Sequence, residues 1–204
     1  MRLRIYPGPV TPLTPPFLPR LRDAISRRTR ATLAEEGAQR AAVALVVTEE
    51  AEPALLFVKR RERAGDPWSG HVAFPGGYRS AADESAAATA ARETEEETGL
   101  PLATAGQRVG DLDDIYPRSI YLPRVIVTPV VFAVPARLEV RPSEEVERAV
   151  WVGVRELLDP GNRRPFRIEL PLGPREFDSI EVAGLVIWGL TERVIQQVVN
   201  IIHS

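Results

Sequence analysis

The 204-residue sequence contains no cysteine. Disulfides, thiolate nucleophiles and cysteine-ligated zinc are therefore excluded, and a soluble intracellular protein is the expected context. Histidine is scarce as well: His71 and His203 are too few and too far apart in sequence to suggest a zinc cluster. Lys59 is the only lysine, so nearly all positive charge is arginine, whose planar fork suits phosphate. Neither sign of charge dominates. With 26 basic and 28 acidic residues the net charge is −2, which argues against a general nucleic-acid binder. Apolar runs are too short to cross a bilayer, and the proline-rich start lacks the apolar core of a signal peptide. No membrane partner is expected, and the cytoplasm is the expected location.

This length fits one domain with terminal extensions. Residues 1–36 read as a proline-rich N-terminal extension followed by a surface helix, and residues 37–204 as the main domain. Six prolines among the first nineteen residues exclude a helix there. Residues 20–36 space Leu21, Ala24, Ile25 and Leu33 among arginines, predicting a surface helix closed by Gly37. Residues 41–48 and 54–59 are apolar runs of strand length joined by an acidic turn, which predicts a hairpin. Residues 106–114 read as a loop, and residues 124–134 as a strand whose Pro129 marks an edge or a bulge. Residues 165–172 and 184–190 are strand-like. Residues 191–202 predict a helix capped by Thr191, with Val194, Ile195, Val198 and Ile202 on one face. Periodicity alone gives an α/β or α+β domain.

One stretch, residues 76–100, contradicts its own local structure. Asp83 suits an N-cap, the run from 86 to 91 is mostly alanine, and Gly99 stands where a glycine would stop a helix, which predicts a helix over residues 84–98. Its last turns carry Glu93, Glu95, Glu96 and Glu97, at the negative end of the macrodipole. Glu93, Glu96 and Glu97 share a face by their spacing and repel, by roughly 0.2–0.5 kcal/mol per pair. A glutamate run on a helix is ordinarily a solvated face. Here a Pro-Gly-Gly turn (Pro75, Gly76, Gly77) feeds the helix, and clustered hard oxygens on a rigid element are what Mg²⁺ or Mn²⁺ requires. The face reads as a divalent-metal site.

These residues resemble the Nudix box: a glycine, five residues, a glutamate, seven residues, then Arg-Glu-apolar-x-Glu-Glu-x-Gly-apolar. Arg92, Glu93, Glu96, Glu97, Gly99 and Leu100 match the second half, with Thr94 at the first apolar position. The first half is one residue too long between Gly77 and Glu84. Either Asp83 takes the acidic position or the loop bulges. The same extra residue is a feature of the coenzyme A pyrophosphatase branch.

The preceding segment, KRRERAGDPWSGHVAFPGG, carries Arg60, Arg61 and Arg63, then Trp68 and His71, beside the proposed metal, where a polyphosphate would lie. It is similar to the signature that precedes the box in coenzyme A pyrophosphatases. Gly70, Phe74, Pro75, Gly76 and Gly77 match and Arg61 falls on the signature arginine, whereas Glu62 replaces a small residue and Asp66 stands where a second arginine is expected. Arg118 and Tyr121 lie on a loop within reach of a nucleotide. Glu145, in the acid pair Glu144 and Glu145 ahead of the tryptophan strand, is a candidate extra metal ligand or base.

The resemblance covers residues 41–199 and implies a Nudix fold, a mixed β-sheet between helices. It also implies attack of water on a phosphorus of a nucleoside diphosphate derivative. Carboxylates repel phosphate unless dications stand between them, so the acid cluster serves such cleavage only through metal. Glu93, Glu96 and Glu97 are assigned as ligands, the Gly76 carbonyl as a further one, Glu93 as a candidate base, and Arg92 as the ion-pairing residue that orients them. Arg60, Arg61, Arg63 and His71 are the expected substrate-binding residues. The expected substrate is coenzyme A or a derivative, with ADP-ribose, a dinucleotide or an NTP as the enzymatic alternative. A non-catalytic Nudix-fold binding module is the rival from another class, and the sequence leaves a homodimer open.

Overall fold

The computed structural model describes residues 16–63, 69–117, 123–170 and 173–203. Asp66, Trp68, Arg118, Tyr121 and the proline-rich residues 1–15 lie outside the described residues.

Strand β1 (Gln39–Thr48) is the spine of the molecule. It runs parallel to β6 (Val125–Val134) along its whole length. On its other side it is antiparallel to β4 (Gly76–Tyr78) near its start and to β2 (Ala54–Arg60) near its end. The expected hairpin of β1 and β2 is present. Strands β3 (Val72–Ala73) and β7 (Val146–Gly153) add to β2, and β5 (Gln107–Asp111) adds to β6, giving a seven-stranded mixed sheet. A three-stranded antiparallel sheet follows, formed by β8 (Arg163–Leu170), β9 (Gly173–Val182) and β10 (Leu185–Trp188). Short helices α3 (Leu102–Ala105) and α4 (Val154–Leu158) turn the chain ahead of β5 and after β7.

The continuous apolar run of β1 follows from burial on both faces. Ala42, Ala44 and Val46 pack with Leu56, Phe132 and Leu100 around Ala90 of helix α2 (Ala86–Thr98), where alanines on both sides let helix and sheet approach closely. Leu45 and Val47 join Phe57, Leu21 of α1 (Phe17–Ser26), and Val194, Ile195, Val198 and Ile202 of α5 (Gly189–Ile202) in the larger cluster. The sheet is thus sandwiched between helices. Among the described residues no helix is long and apolar enough to cross a membrane.

Four local expectations are corrected. The first helix spans residues 17–26 rather than 20–36, because the arginines beyond it serve tertiary contacts that outweigh helix propensity. Arg28 pairs with Asp113, Arg30 with Asp111 at 2.6 Å, and the amides of Ala31 and Leu33 donate to Asp113 and Asp114. Residues 107–111, expected as loop, are β5, whose glycine and charged residues mask its edge-strand role. Pro129 lies in the interior strand β6, not at an edge. Its carbonyl accepts from Leu112 N at 2.9 Å, but proline has no N–H to return the bond, and the regular β5–β6 pairing ends at Asp111 and Val130, one residue short of it, resuming only at the isolated Ile115–Val127 bridge. Thr191 does not cap α5: the helix begins at Gly189, and the Thr191 hydroxyl donates to the Val72 carbonyl at 3.1 Å.

Asp114 is the buried anchor of the segment after α1. Its carboxylate is fully covered and meets Arg30 at 3.3 Å, Arg40 at 3.2 Å and the Thr128 hydroxyl at 2.7 Å. Asp114→Ala strands two guanidiniums and should lower stability by about 3 kcal/mol. The exposed pair Arg27–Asp23 provides the control, where Asp23→Ala should cost about 1 kcal/mol or less. Urea melts of the two variants check the contrast.

Candidate active site

Helix α2 starts at Ala86 with Ser85 as its N-cap, the Ser85 hydroxyl accepting from Ala88 N at 3.1 Å. The Asp83 cap and the helix start at residue 84 are therefore corrected: Asp83 sits just before the helix and is claimed by Arg92. Arg92 Nε and Nη2 donate to its two oxygens at 3.1 and 3.0 Å, while Ser80 N and the Thr89 hydroxyl add bonds at 2.8 and 3.1 Å. Arg92 holds the Asp83 carboxyl well below the usual carboxylate range, and Asp83 raises Arg92 in turn. Five residues separate Asp83 from Gly77, the spacing of the acidic position in the box, and on that alignment the extra residue falls between Asp83 and Arg92. The same guanidinium reaches Glu93 at 2.8 Å and Glu96 at 2.9 Å through Nη1, and the Tyr78 carbonyl at 3.1 Å through Nη2.

At the other end Gly99 adopts φ 68°, a left-handed stop that its lack of Cβ permits. The amides of Arg141 and Ser143 donate to the Thr98 and Glu97 carbonyls at 2.7 and 2.9 Å. These two bonds satisfy end carbonyls of the helix and fix the loop that carries Glu144 and Glu145 beside it. Glu97 itself is 5% exposed. Burial pushes its carboxyl up to about 7, against the Gly76 amide, which donates to Oε2 at 3.1 Å, and Arg60, whose Nη1 stands 3.8 Å from Oε1. Glu93 and Glu145 add repulsion in the same direction. Partial burial likewise raises Glu93, opposed by Arg92.

Both turn glycines are required by close approach. A Cβ on Gly77 would collide with the Glu93 carboxylate, and one on Gly76 with the Ala42 carbonyl across the β1–β4 ladder. The Gly76 amide is the group that meets the acids here.

The segment after β2 closes the third side. Arg61 N donates to the Glu145 carbonyl and Arg61 Nε to the Glu144 carbonyl, each at 2.9 Å. Arg63 Nη1 pairs with Glu145 at 3.0 Å. The acid-bearing loop and the arginine-bearing segment are thus one unit. His71 sends its carbonyl to Arg60 N at 3.0 Å and its ring to Trp188, centroids 4.8 Å apart. The ring contact was not anticipated; Phe166 and Phe177, which complete that aromatic group, are separated from His71 by about half the chain.

Among the described residues, no group of three or more acidic or histidine side chains is gathered closely enough to hold a metal as it stands. The donor set nonetheless fits a hard dication. Glu93 and Glu97 are acids whose burial and mutual repulsion disfavour their charge, and an adjacent divalent cation relieves both.

Residues 38–170 match the family model of the NUDIX domain. The chain is 32% identical over 169 residues to the uncharacterized Nudix hydrolase NudL of Escherichia coli, covering 78% of this chain and 80% of that protein. It is 39% identical over 112 residues to an uncharacterized protein of Schizosaccharomyces pombe, a match over 53% of this chain and 34% of that much longer relative. A MutT/nudix family protein from Enterococcus faecalis superposes with a TM-score of 0.52 at 16% identity, over 86% of this chain and 65% of that one, and shares the fold. The chain belongs to the Nudix family. Nudix hydrolases generally use divalent metals such as Mg²⁺ or Mn²⁺.

Burial of Glu97 sets a pH dependence in the metal-free protein. Its folded value of about 7 exceeds the ordinary 4.5, so between these the native state keeps a proton that the unfolded chain has lost, and stability falls as pH rises through that window. The loss should be on the order of 2 kcal/mol. Asp83 acts oppositely: depressed by Arg92, it contributes stability above its ordinary 3.8 that disappears as pH falls further. Melting in EDTA should therefore be highest at mildly acidic pH, and Glu97→Gln should flatten the decline between pH 5 and 7.

Proposed function

We propose that this protein hydrolyses the diphosphate linkage of coenzyme A or a coenzyme A derivative, with Mg²⁺ or Mn²⁺, to 3′,5′-ADP and a 4′-phosphopantetheine product. The observation that carries the reading is the buried carboxyl of Glu97 held beside Glu93, with Arg60 of β2 directed at it and Glu145, paired with Arg63, acting on it from the neighbouring loop. A fold gains nothing from that arrangement in isolation, since each acid raises its neighbour's cost of ionisation. It becomes favourable with cations between the acids and a phosphate.

Glu93, Glu96, Glu97 and the Gly76 carbonyl would hold the metal. When bound, a dication neutralises phosphate oxygens and lowers the pKa of water. Arg92 keeps Glu93 and Glu96 in register by holding both through one nitrogen while Asp83 fixes its other edge. Arg60 directs positive charge at the space a diphosphate must enter. Arg61 keeps guanidinium N–H groups beyond the one given to Glu144, and these suit a phosphate oxygen. Glu145, more than half exposed beside Glu97, and Glu93 are the candidates to take the proton from water as its oxygen bonds to phosphorus and the bridging P–O bond breaks.

The coenzyme A assignment rests on the pre-box signature and the extra residue within the box, and Asp66, in place of a signature arginine, is the feature that favours another nucleoside diphosphate derivative. Comparing kcat/KM for coenzyme A, dephospho-coenzyme A, ADP-ribose and a dinucleotide at one metal concentration separates them. Coenzyme A should lead; preference for another by about tenfold or more sinks the substrate assignment and leaves the hydrolase. Glu97→Gln should cut turnover by about two orders of magnitude or more with the fold intact. Near wild-type turnover in that variant would remove the acid face from the chemistry and favour a binding module.

A further inference from the structure

We propose that the outer face of the three-stranded sheet is a base-binding platform, on which Phe166, Phe177 and Trp188 stack the adenine of the substrate while its diphosphate lies at the acid cluster. This rests on the nucleotide reading above and extends it to a part of the chain that carries none of the box.

The register places the platform. Phe166 pairs with Phe177, and Arg164 and Trp188 both pair with Ser179, so by strand alternation Arg164, Phe166, Arg175, Phe177 and Trp188 lie on one face. Ile180 and Ile187, on the opposite face, are fully buried in the main core, which turns the aromatic face outward. Its rings form one group: Phe166 and Phe177 lie 5.0 and 5.3 Å from Trp188, and the His71 ring stands edge-on to Trp188 at 4.8 Å. Phe177 is 36% exposed, and among the described residues only Leu33 and Tyr78 are other large apolar side chains as open to solvent.

Its surroundings select the occupant. Arg164 and Arg175 share the face of the rings; Arg164 gives Nη1 to the Gly161 and Arg163 carbonyls, each at 2.7 Å, whereas Arg175 has no hydrogen-bond or ion-pair partner among the described residues. A cationic rim on an aromatic surface suits a phosphorylated heteroaromatic ligand, because any base offers a π-face and the arginines meet its phosphate. The platform is also continuous with the site. The His71 carbonyl accepts from Arg60 N, and the Arg60 guanidinium stands 3.8 Å from Glu97, so a single residue links the two, its amide bonded to His71 and its side chain directed at the acids.

AMP titrated into the metal-free protein, followed by tryptophan fluorescence, tests this without turnover. AMP should quench the emission, Trp188→Phe should remove most of that quenching, and Phe177→Ala should weaken AMP binding roughly tenfold. Ribose 5-phosphate, which lacks the base, should bind all forms alike. In the hydrolysis assay Phe177→Ala should raise KM by a similar factor with kcat little changed. Because Phe177 is exposed, the variant should keep the wild-type circular dichroism. AMP affinity that is unchanged by Phe177→Ala overturns the proposal, as does a dimer that this substitution dissociates while AMP affinity stays constant. A protein that binds AMP through Phe177 but cleaves no nucleoside diphosphate derivative loses the hydrolase reading and keeps the platform. Turnover with a KM indifferent to Phe177 does the reverse.

Discussion

A glutamate buried at the negative end of a helix, with two further acids acting on it, is the constraint around which this molecule is arranged. Glu97 is kept from solvent: its side chain is buried with Oε2 against the Gly76 amide, and the loop after β6 holds its backbone carbonyl. Its partial compensations come from two separate segments, the Gly76 amide and the Arg60 guanidinium, while the loop whose amides hold the end carbonyls of α2 brings the opposing Glu145. Each segment is in turn fixed by the sheet. β4 is laddered to β1 and must be glycine where it passes the Ala42 carbonyl and the Glu93 carboxylate, while β2 delivers Arg60 at its end. Arg92 completes the arrangement from the helix itself. Its link to Asp83 makes the turn before α2 and the acid face a single rigid unit.

Much of this was legible in the sequence because it is local. The alanine run, the Gly99 stop and the acids at three- and four-residue spacing lie within one helix, and helical periodicity brings them together wherever the helix packs. The apolar runs of β1, β2 and β6 were equally plain, since burial on both faces removes any need for alternation. That Ser85 rather than the expected Asp83 caps the helix was not legible, because both residue types cap well and only the position of Arg92 assigns Asp83 elsewhere. The end of the first helix was hidden for a similar reason. Residues 27–33 have the composition of a helical surface, and the acids that draw Arg28 and Arg30 away are some 80 residues distant.

The arginines at and just after the end of β2 show how one basic segment divides its contacts. Sequence puts Arg60, Arg61 and Arg63 in one basic segment, but alternation and the loop path divide them. Arg60 turns toward Glu97, whereas Arg61 and Arg63 hold the Glu144–Glu145 loop. β9 and the aromatic face were beyond sequence reasoning: charged residues and Gly173 break the strand pattern, and His71 meets Trp188 only because β3, β10 and the start of α5 come together. The consequence is a site whose acid half is written in one helix and whose remaining surfaces are assembled from distant parts of the chain.

If the acid cluster exists to be completed by a dication, metal binding must displace the proton that burial keeps on Glu97. Calorimetric titration of Mn²⁺ at pH 6.5, repeated in buffers of different ionisation enthalpy, measures that proton directly. The account predicts release of a substantial fraction of one proton per bound metal in the wild type, with weaker binding and no release in Glu97→Gln. Equal affinity in the two proteins, with a heat independent of buffer, would contradict it.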